Sequence, residues 1–276
     1  MKKVNFKDKK VLITGASTGI GKALSLEFAK RGALLALTSL PGEKEILANH
    51  AKELETTYNI KTWLFPMDLL KENATETLYE RVKAEVGDIF ALVNNAGTMA
   101  YGQFWEIAWE GQLKTFQLNL YVPLRLMYLF LPDMVKRGEG MIFNISSLSA
   151  FQPTPFQSVY GATKTGLQSL SQAVRAELKG TGVTVCTLNP PYIDTKLLKT
   201  GSYPPDLRYY LISGIKSPEW VARKAIKKFE KRKFLYLPGL RFAFIHLGLI
   251  RFSPRRFVDA MSRYLMQGRR QKTEDR

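Results

Sequence analysis

Short apolar runs alternating with helix-period segments predict an α/β chain whose strands lie parallel in one sheet. Two features carry that expectation. The first is the opening unit. The apolar run Lys10-Val-Leu-Ile leads into Thr14-Gly-Ala-Ser-Thr-Gly-Ile-Gly21, then into a helical pattern of Ala23, Leu24, Leu26, Phe28 and Ala29, then into a second run, Leu34 to Ser39. The second is repetition: strand ends with small or polar residues recur five times along the chain. In a parallel sheet such ends collect on one edge, where a crevice for ligands forms.

The glycine-rich turn comes first. Strand, turn and helix in this order present free backbone N–H groups to a diphosphate at a helix N-terminus. Gly15 permits the tight turn, Gly19 lets the backbone approach a ligand, Gly21 lets helix and strand pack closely, and Ser17 and Thr18 add hydroxyls just before Ile20. Farther on, Ile89 to Val93 runs into Asn94-Asn95-Ala96-Gly97, small residues suited to backbone approach. Gly140 to Ile145 ends at Ser146-Ser147, and Val183 to Leu188 runs into Asn189-Pro190-Pro191-Tyr192-Ile193-Asp194-Thr195. Ser217-Pro218-Glu219 supplies an N-cap and first turn for a later helix, and Phe234 to Gly239 reads as a last strand.

One pair points to chemistry. In Ser158-Val-Tyr-Gly-Ala-Thr-Lys the phenol of Tyr160 and the ammonium of Lys164 are four residues apart on a predicted helix, with Leu167, Leu170, Val174 and Leu178 at helical spacing. Positions i and i+4 share a face. A cation beside a phenol favours the phenolate, so the pair predicts a tyrosine with a lowered pKa, fit for proton transfer. Ser147 lies thirteen residues before Tyr160, within reach of the same point where a strand end faces a helix start.

Taken together, T-G-x-x-x-G-I-G at 14–21, N-N-A-G at 94–97, Ser147, Y-x-x-x-K at 160–164 and N-P at 189–190 resemble the short-chain dehydrogenase/reductase family over residues 7–239. The resemblance implies a doubly wound Rossmann sheet of about seven parallel strands with helices on both faces, and a bound nicotinamide dinucleotide. It implies interconversion of a carbonyl and a secondary alcohol by Asn119, Ser147, Tyr160 and Lys164. Ser147 would hold the carbonyl oxygen and Tyr160 would move the proton. Lys164 would grip the nicotinamide ribose and keep the phenol acidic, and Asn119 would position a water. By the same resemblance the cofactor contacts are Gly15, Ser17, Thr18, Gly19, Ile20, Gly21, Ser39, Asp68, Leu69, Asn95, Ala96, Gly97, Tyr160, Lys164, Pro190, Ile193 and Thr195. Ser147, Tyr160 and Tyr192 would meet substrate. The chain departs from the family at Pro190-Pro191, where Pro-Gly is common, and a stiffer backbone is expected there. A non-catalytic dinucleotide sensor or scaffold of the same fold is the alternative; the intact tetrad argues against it.

The second strand ends in Leu37-Thr-Ser-Leu-Pro-Gly with no acid before Glu43, which favours NADP over NAD and leaves NAD open. Thr38 and Ser39 offer hydroxyls to a 2′-phosphate, and Lys44 is near enough in sequence to reach it. Asp68 also fits a simple turn cap.

The chain has 276 residues, with 41 Lys/Arg against 24 Asp/Glu and a formal net charge of +17. Its single cysteine, Cys186, excludes an internal disulfide, and a reducing, cytoplasmic setting is expected. With two histidines and no His/Asp/Glu cluster, no metal site is expected. Met1-Lys-Lys resembles a signal n-region, but the next apolar run is the first strand, so an unprocessed N-terminus is expected. The charge is concentrated: residues 208–276 carry 18 Lys/Arg and 5 Asp/Glu. No nucleic-acid motif accompanies these cations, and no such partner is expected.

Two units follow from this, a dinucleotide-binding catalytic domain at 1–239 and a basic, amphipathic helical extension at 240–276. Within the extension Leu240 to Ile250 is apolar but too short for a span. Ser253-Pro254 then restarts a helix, with Phe257, Val258, Met261, Tyr264 and Leu265 on one face and Arg255, Arg256, Asp259 and Arg263 on the other. Peripheral membrane contact through 240–267, packing on the chain's own cleft and packing on a partner subunit all remain open. By the same resemblance the stretch from Tyr192 to Ser217 covers the substrate, and its Leu197, Leu198, Tyr203, Leu207, Tyr209, Tyr210, Leu211 and Ile212 would make that lid apolar, with Trp105 and Trp109 expected on the same side. A lipophilic substrate (sterol, fatty-acyl or retinoid-like) is expected. The family resemblance further implies a homodimer through the helices that carry Asn119 and Tyr160.

Overall fold

The computed structural model describes residues 3–199, 203–239 and 244–268. Leu240 to Ala243 and the last eight residues of the predicted extension lie outside the described residues, as does the side chain of Ile212.

Seven parallel strands form one sheet: β1 (Lys10–Ile13), β2 (Leu34–Ser39), β3 (Thr62–Pro66), β4 (Ala91–Asn94), β5 (Gly140–Ile145), β6 (Val183–Leu188) and β7 (Leu235–Tyr236), in the order β3-β2-β1-β4-β5-β6-β7. The order reverses between β1 and β4, and at such a switch point the strand ends diverge to open a crevice. The doubly wound sheet expected from the sequence is therefore the observed fold.

Alternation along the central strand decides which helices go where. Val11 and Ile13 pack with Leu24 and Phe28 of α1 (Gly19–Ala29), Leu47 and Leu54 of α2 (Lys44–Tyr58), and Val221 and Phe229 of α9 (Pro218–Phe229). Leu12 points the other way, into a layer with Leu78 and Val82 of α3 (Ala74–Glu85) and Leu126, Phe130 and Met134 of α5 (Val122–Arg137). Phe143 and Phe229 stack at 4.0 Å between ring centroids, tying β5 to α9. α9 is capped as expected by Ser217, whose hydroxyl accepts from Trp220 N at 3.2 Å.

Two segments between strands matter for the crevice. α4 (Trp109–Phe116) joins α5 through a π-helical stretch, Gln117–Tyr121, that contains Asn119. Pro123 explains the wide turn: it has no N–H to return to the Asn119 carbonyl four residues back, so the regular ladder cannot continue. After β6, Ile193 pairs with Lys216 in a parallel bridge, and α7 (Lys196–Lys199) and α8 (Tyr209–Ser213) lie between them in sequence.

The C-terminal segment packs on the chain's own cleft. It holds a π-helical turn, Phe244–Leu249, then Ile250–Phe252, and then a helix over Arg255–Leu265. Leu207 bridges Gly268, and the Tyr101 hydroxyl donates to the Met266 carbonyl at 2.5 Å. Val258 and Ser262 are buried, whereas Phe257 and Tyr264 are exposed. The single apolar face expected from the sequence is thus split, because the inward stripe is set by contact with Tyr101, Leu207 and Arg208. Among the described residues no helix is long and apolar enough to cross a membrane.

Candidate active site

The C-terminal ends of β1, β2, β4, β5 and β6 open onto one cleft of about 570 Å³. Its first wall is the turn into α1. Gly15 and Gly19 adopt φ of +65° and +57°, and both line the cleft with Ser17, Thr18 and Ile20. Gly21 does not line it. A Cβ there would sit 2.2 Å from the Gly15 carbonyl oxygen and 2.4 Å from Asn95 Nδ2, so this glycine lies behind the wall and lets helix and strand meet.

Thr14 and Asn95 brace that turn. The Thr14 hydroxyl accepts from the backbone N–H groups of Asn95 and Ala96, both at 3.0 Å, and Asn95 Nδ2 donates to the carbonyls of Thr14 and Gly15 at 2.8 and 2.9 Å. Asn95 is therefore a strut as well as a lining residue. The remaining cofactor positions read from the sequence, Ser39, Asp68, Leu69, Ala96, Gly97, Pro190, Ile193 and Thr195, also face the cleft. Asp68 in addition caps its own turn, accepting from Leu70 N at 3.0 Å.

A helix N-terminus with a glycine rim, a hydroxyl-bearing strand end at β2 and a polar far end suit an extended dinucleotide, and the residues present fit one.

Ser147, Tyr160 and Lys164 converge at the far end. Ser147 follows β5, and Tyr160 and Lys164 stand on α6 (Ser158–Glu177). Burial raises the pKa of Tyr160, and the neighbouring Ser147 hydroxyl opposes that rise without reversing it, so the net shift is upward. The lysine is buried, its Nζ donates to the Ile145 carbonyl at 2.9 Å, and desolvation pulls it down to about 8. The expected lowering of the phenol's pKa by the cation is overturned. Ser147 has a second task, for its oxygen accepts from Ser149 N at 3.1 Å and caps the short turn Leu148–Phe151.

Asn119 is fully buried, and its side chain mainly grips one residue: Oδ1 accepts from Thr98 N at 2.9 Å and Nδ2 donates to Thr98 O at 2.7 Å, with a longer bond from Nδ2 to the Thr163 hydroxyl at 3.4 Å. It fixes the loop after β4. A Cβ on Gly97 would lie 3.0 Å from Asn119 Oδ1 and 3.8 Å from Lys164 Nζ, so the two side chains flank that glycine.

Two features escaped sequence reasoning. Glu43 turns into the cleft, where its carboxylate accepts from the Ser17 hydroxyl and pairs with Lys196 at 3.0 Å; the Ser17 bond chiefly holds its pKa below the usual carboxylate range. Lys44 next to it does not line the cleft and points to solvent. The other is a polar row on the substrate side: Gln157 donates to the Tyr203 hydroxyl, Tyr203 donates to the Tyr192 hydroxyl at 2.9 Å, and Tyr192 reaches Met266 Sδ at 3.3 Å. Burial pushes both phenols up. Of the predicted lid, Leu197, Leu198, Tyr192 and Tyr209 line the cleft with Met266, and Leu207 is buried behind them. Leu211 is exposed, and Trp105 and Trp109, at 77% and 66% exposure, stand outside the cleft, on the loop and helix before Asn119.

Residues 9–203 match the family model described as short chain dehydrogenase. The chain is 32% identical over 226 residues to the ketoacyl reductase HetN of Nostoc sp., covering 81% of this chain and 76% of that protein. It is 34% identical over 194 residues to the very-long-chain 3-oxoacyl-CoA reductase of Anas platyrhynchos, covering 68% of this chain and 61% of that one. Among solved structures, a short-chain dehydrogenase from Sphingobium yanoikuyae in complex with NADPH superposes with a TM-score of 0.78 at 28% identity, covering 90% of this chain and 97% of that one.

Proposed function

The chain belongs to the short-chain dehydrogenase family and is an oxidoreductase of carbonyl and alcohol groups, and from that premise we propose that it reduces a lipophilic ketone, foremost a 3-oxoacyl chain, with NADP. The observation that carries this reading is the meeting of Ser147, Tyr160 and Lys164 at the end of a glycine-rimmed cleft. In this reading the diphosphate lies against Gly15 to Ile20, the adenosine against Ser39, Asp68 and Leu69, and the nicotinamide against Pro190, Ile193 and Thr195. When bound, the dinucleotide supplies the two electrons of the reduction.

The chain's own groups do the rest. Ser147 donates a hydrogen bond to the substrate oxygen as charge develops there, and the Tyr160 hydroxyl delivers the proton. In the reductive direction the neutral phenol is the form that gives a proton, and Tyr160, shifted upward by burial, is held in that form. Lys164, held by the Ile145 carbonyl, presents its cation to the ribose hydroxyls. Asn119 acts at one remove, by holding Thr98.

NADP is preferred to NAD because β2 itself ends in the hydroxyls of Thr38 and Ser39, and because Glu43, the carboxylate just beyond it, is engaged by Ser17 and Lys196 rather than free to hold a 2′-hydroxyl. The two reductases of 3-oxoacyl and ketoacyl groups favour an acyl chain over a sterol or retinoid, and a largely apolar wall of the Tyr192 and Tyr209 rings with the Met266 thioether agrees with it. A homodimer is part of the same reading: Trp109, Leu113, Phe116, Tyr121, Leu124 and Tyr128 leave a run of exposed apolar side chains along α4 and α5. Purified protein should oxidise NADPH, followed by absorbance, with 3-oxoacyl thioesters of graded length. No oxidation with any ketone of that series would overturn the proposal.

A further inference from the structure

The segment from Phe244 to Gly268 has two unlike sides. Its inner side is built into the substrate site: Met266 lines the cleft, and His246, Ile250, Val258 and Ser262 are buried. Its outer side carries Phe244, Leu249, Phe252, Phe257 and Tyr264, with Phe252 at 84% and Phe257 at 59% exposure. Interleaved with them are Arg251, Arg255, Arg256 and Arg263, all exposed. On the helix Arg255–Leu265 the pairs Phe257/Tyr264 and Arg256/Arg263 are each seven apart, so an aromatic stripe runs beside a cationic one. Among the described residues none of the four arginines makes an ion pair, and Asp259 is the only acid on this helix.

We propose that this outer face is a docking surface for an anionic lipid bilayer. Large apolar side chains held in water beside unpaired cations are the composition of helices that lie in the membrane interface. There the rings enter the acyl boundary and the arginines meet anionic headgroups. A second copy of the chain is a poor occupant. A two-fold contact sets the same patch against itself, and here it would bring two sets of four arginines together in a protein of net charge +17. The inference deepens the proposed function and rests on it for its purpose: the segment that meets lipid is also a wall of the site for a lipophilic substrate.

The experiment is flotation of the full chain with vesicles of phosphatidylcholine alone and of phosphatidylcholine mixed with phosphatidylglycerol. Wild type should float with the mixed vesicles only, and less as salt is raised. Phe252→Ser/Phe257→Ser and Arg255→Ala/Arg256→Ala should each weaken binding about tenfold or more. Their thermal melting and their turnover of a water-soluble ketone should stay unchanged. Flotation indifferent to anionic lipid, or equal flotation by the variants, would overturn the inference. So would dissociation of a dimer by Phe252→Ser/Phe257→Ser in sedimentation, which would make the face a contact between copies. Turnover is measured separately, so a chain that floats but reduces no ketone sinks the proposed function and leaves the docking surface standing.

Discussion

The ammonium of Lys164 lies 5.6 Å from the centroid of the Tyr160 ring and is anchored to the Ile145 carbonyl at 2.9 Å. At that distance it meets the π-face of the ring. The phenol's acidity is set instead by burial, opposed by the nearby Ser147 hydroxyl. The two groups are thus displaced toward their neutral forms, the phenol upward and the buried lysine down to about 8. Near neutral pH this leaves a protonated tyrosine beside a lysine close to its own titration point, an arrangement suited to giving a proton to substrate.

Removing the proton donor should separate chemistry from binding. Tyr160→Phe keeps the ring and its packing, so dinucleotide affinity by fluorescence titration should stay within a few-fold of wild type while ketone turnover is almost lost. Ser147→Ala should cost about 10²–10³ in kcat. It should also cost about 1 kcal/mol of stability, because the cap on Ser149 N goes with the hydroxyl. Turnover by Tyr160→Phe at the wild-type rate would remove the tyrosine from the mechanism.

Lys164 makes a prediction in pH. Its folded-state pKa of about 8 lies below the ordinary value of 10.5, so the unfolded chain holds more protons between those values. The cost of burying the charge, about 3 kcal/mol, is fully present below pH 8 and is relieved as pH rises toward 10.5. Lys164→Met escapes that cost but strands the Ile145 carbonyl, worth about 1–3 kcal/mol. The variant should therefore be at least as stable as wild type at pH 7, with its advantage shrinking through the alkaline window, while dinucleotide binding and turnover collapse. Wild-type reduction should fall above pH 8 as the cation is lost. Denaturant melts of both proteins across pH decide it; a constant gap would refute the linkage.

These contrasts show what a linear chain reveals. The Tyr160/Lys164 spacing, the glycines at 15, 19 and 21 and the strand ends were all legible, because each depends on local geometry. The direction of the Tyr160 shift was not, since it depends on how much protein closes around the hydroxyl. Pro123 is a readable signal for the π-helical turn at Asn119. Glu43 and Met266 reach the cleft through contacts 26 and 165 residues away in sequence, to Ser17 and Tyr101, which no periodicity encodes. Trp105 and Trp109 are expected on the lid's side from composition alone, and the side they take is decided by how α4 sits on α6.

Glu43 should set the margin between the two dinucleotides. Its carboxylate at the β2 end of the cleft opposes a 2′-phosphate, and its bond to Lys196 withholds a cation from one. Glu43→Gln removes the charge and loosens the pair. The ratio of kcat/KM for NADPH over NADH should then rise about tenfold, equivalent to about 1.4 kcal/mol. An unchanged or falling ratio would place the 2′-hydroxyl elsewhere.

The apolar run on α4 and α5 predicts assembly. Trp109 and Tyr128 are both 66% exposed, too much aromatic surface to leave in water without a use. Trp109→Arg/Tyr128→Arg should shift the sedimentation coefficient from dimer to monomer with little change in the melting temperature of the isolated subunit fold. A wild type that sediments as a monomer at micromolar concentration would end the dimer reading.

Met266 should govern how long a substrate the cleft accepts. It is almost fully buried, its carbonyl takes the Tyr101 hydroxyl and its sulfur meets Tyr192, so the C-terminal strap holds it against the site at two points. Met266→Ala opens space where the acyl chain would run and Met266→Trp closes it. Selectivity for a long over a short 3-oxoacyl substrate should therefore move in opposite directions, by about tenfold each way. Tyr101→Phe tests the strap rather than the wall. It removes one hydrogen bond, at about 1 kcal/mol, and should loosen chain-length discrimination while leaving the reduction of a small ketone intact. If both Met266 variants changed the rates for long and short substrates by the same factor, the residue would be a structural plug, and the strap would have no part in choosing substrate.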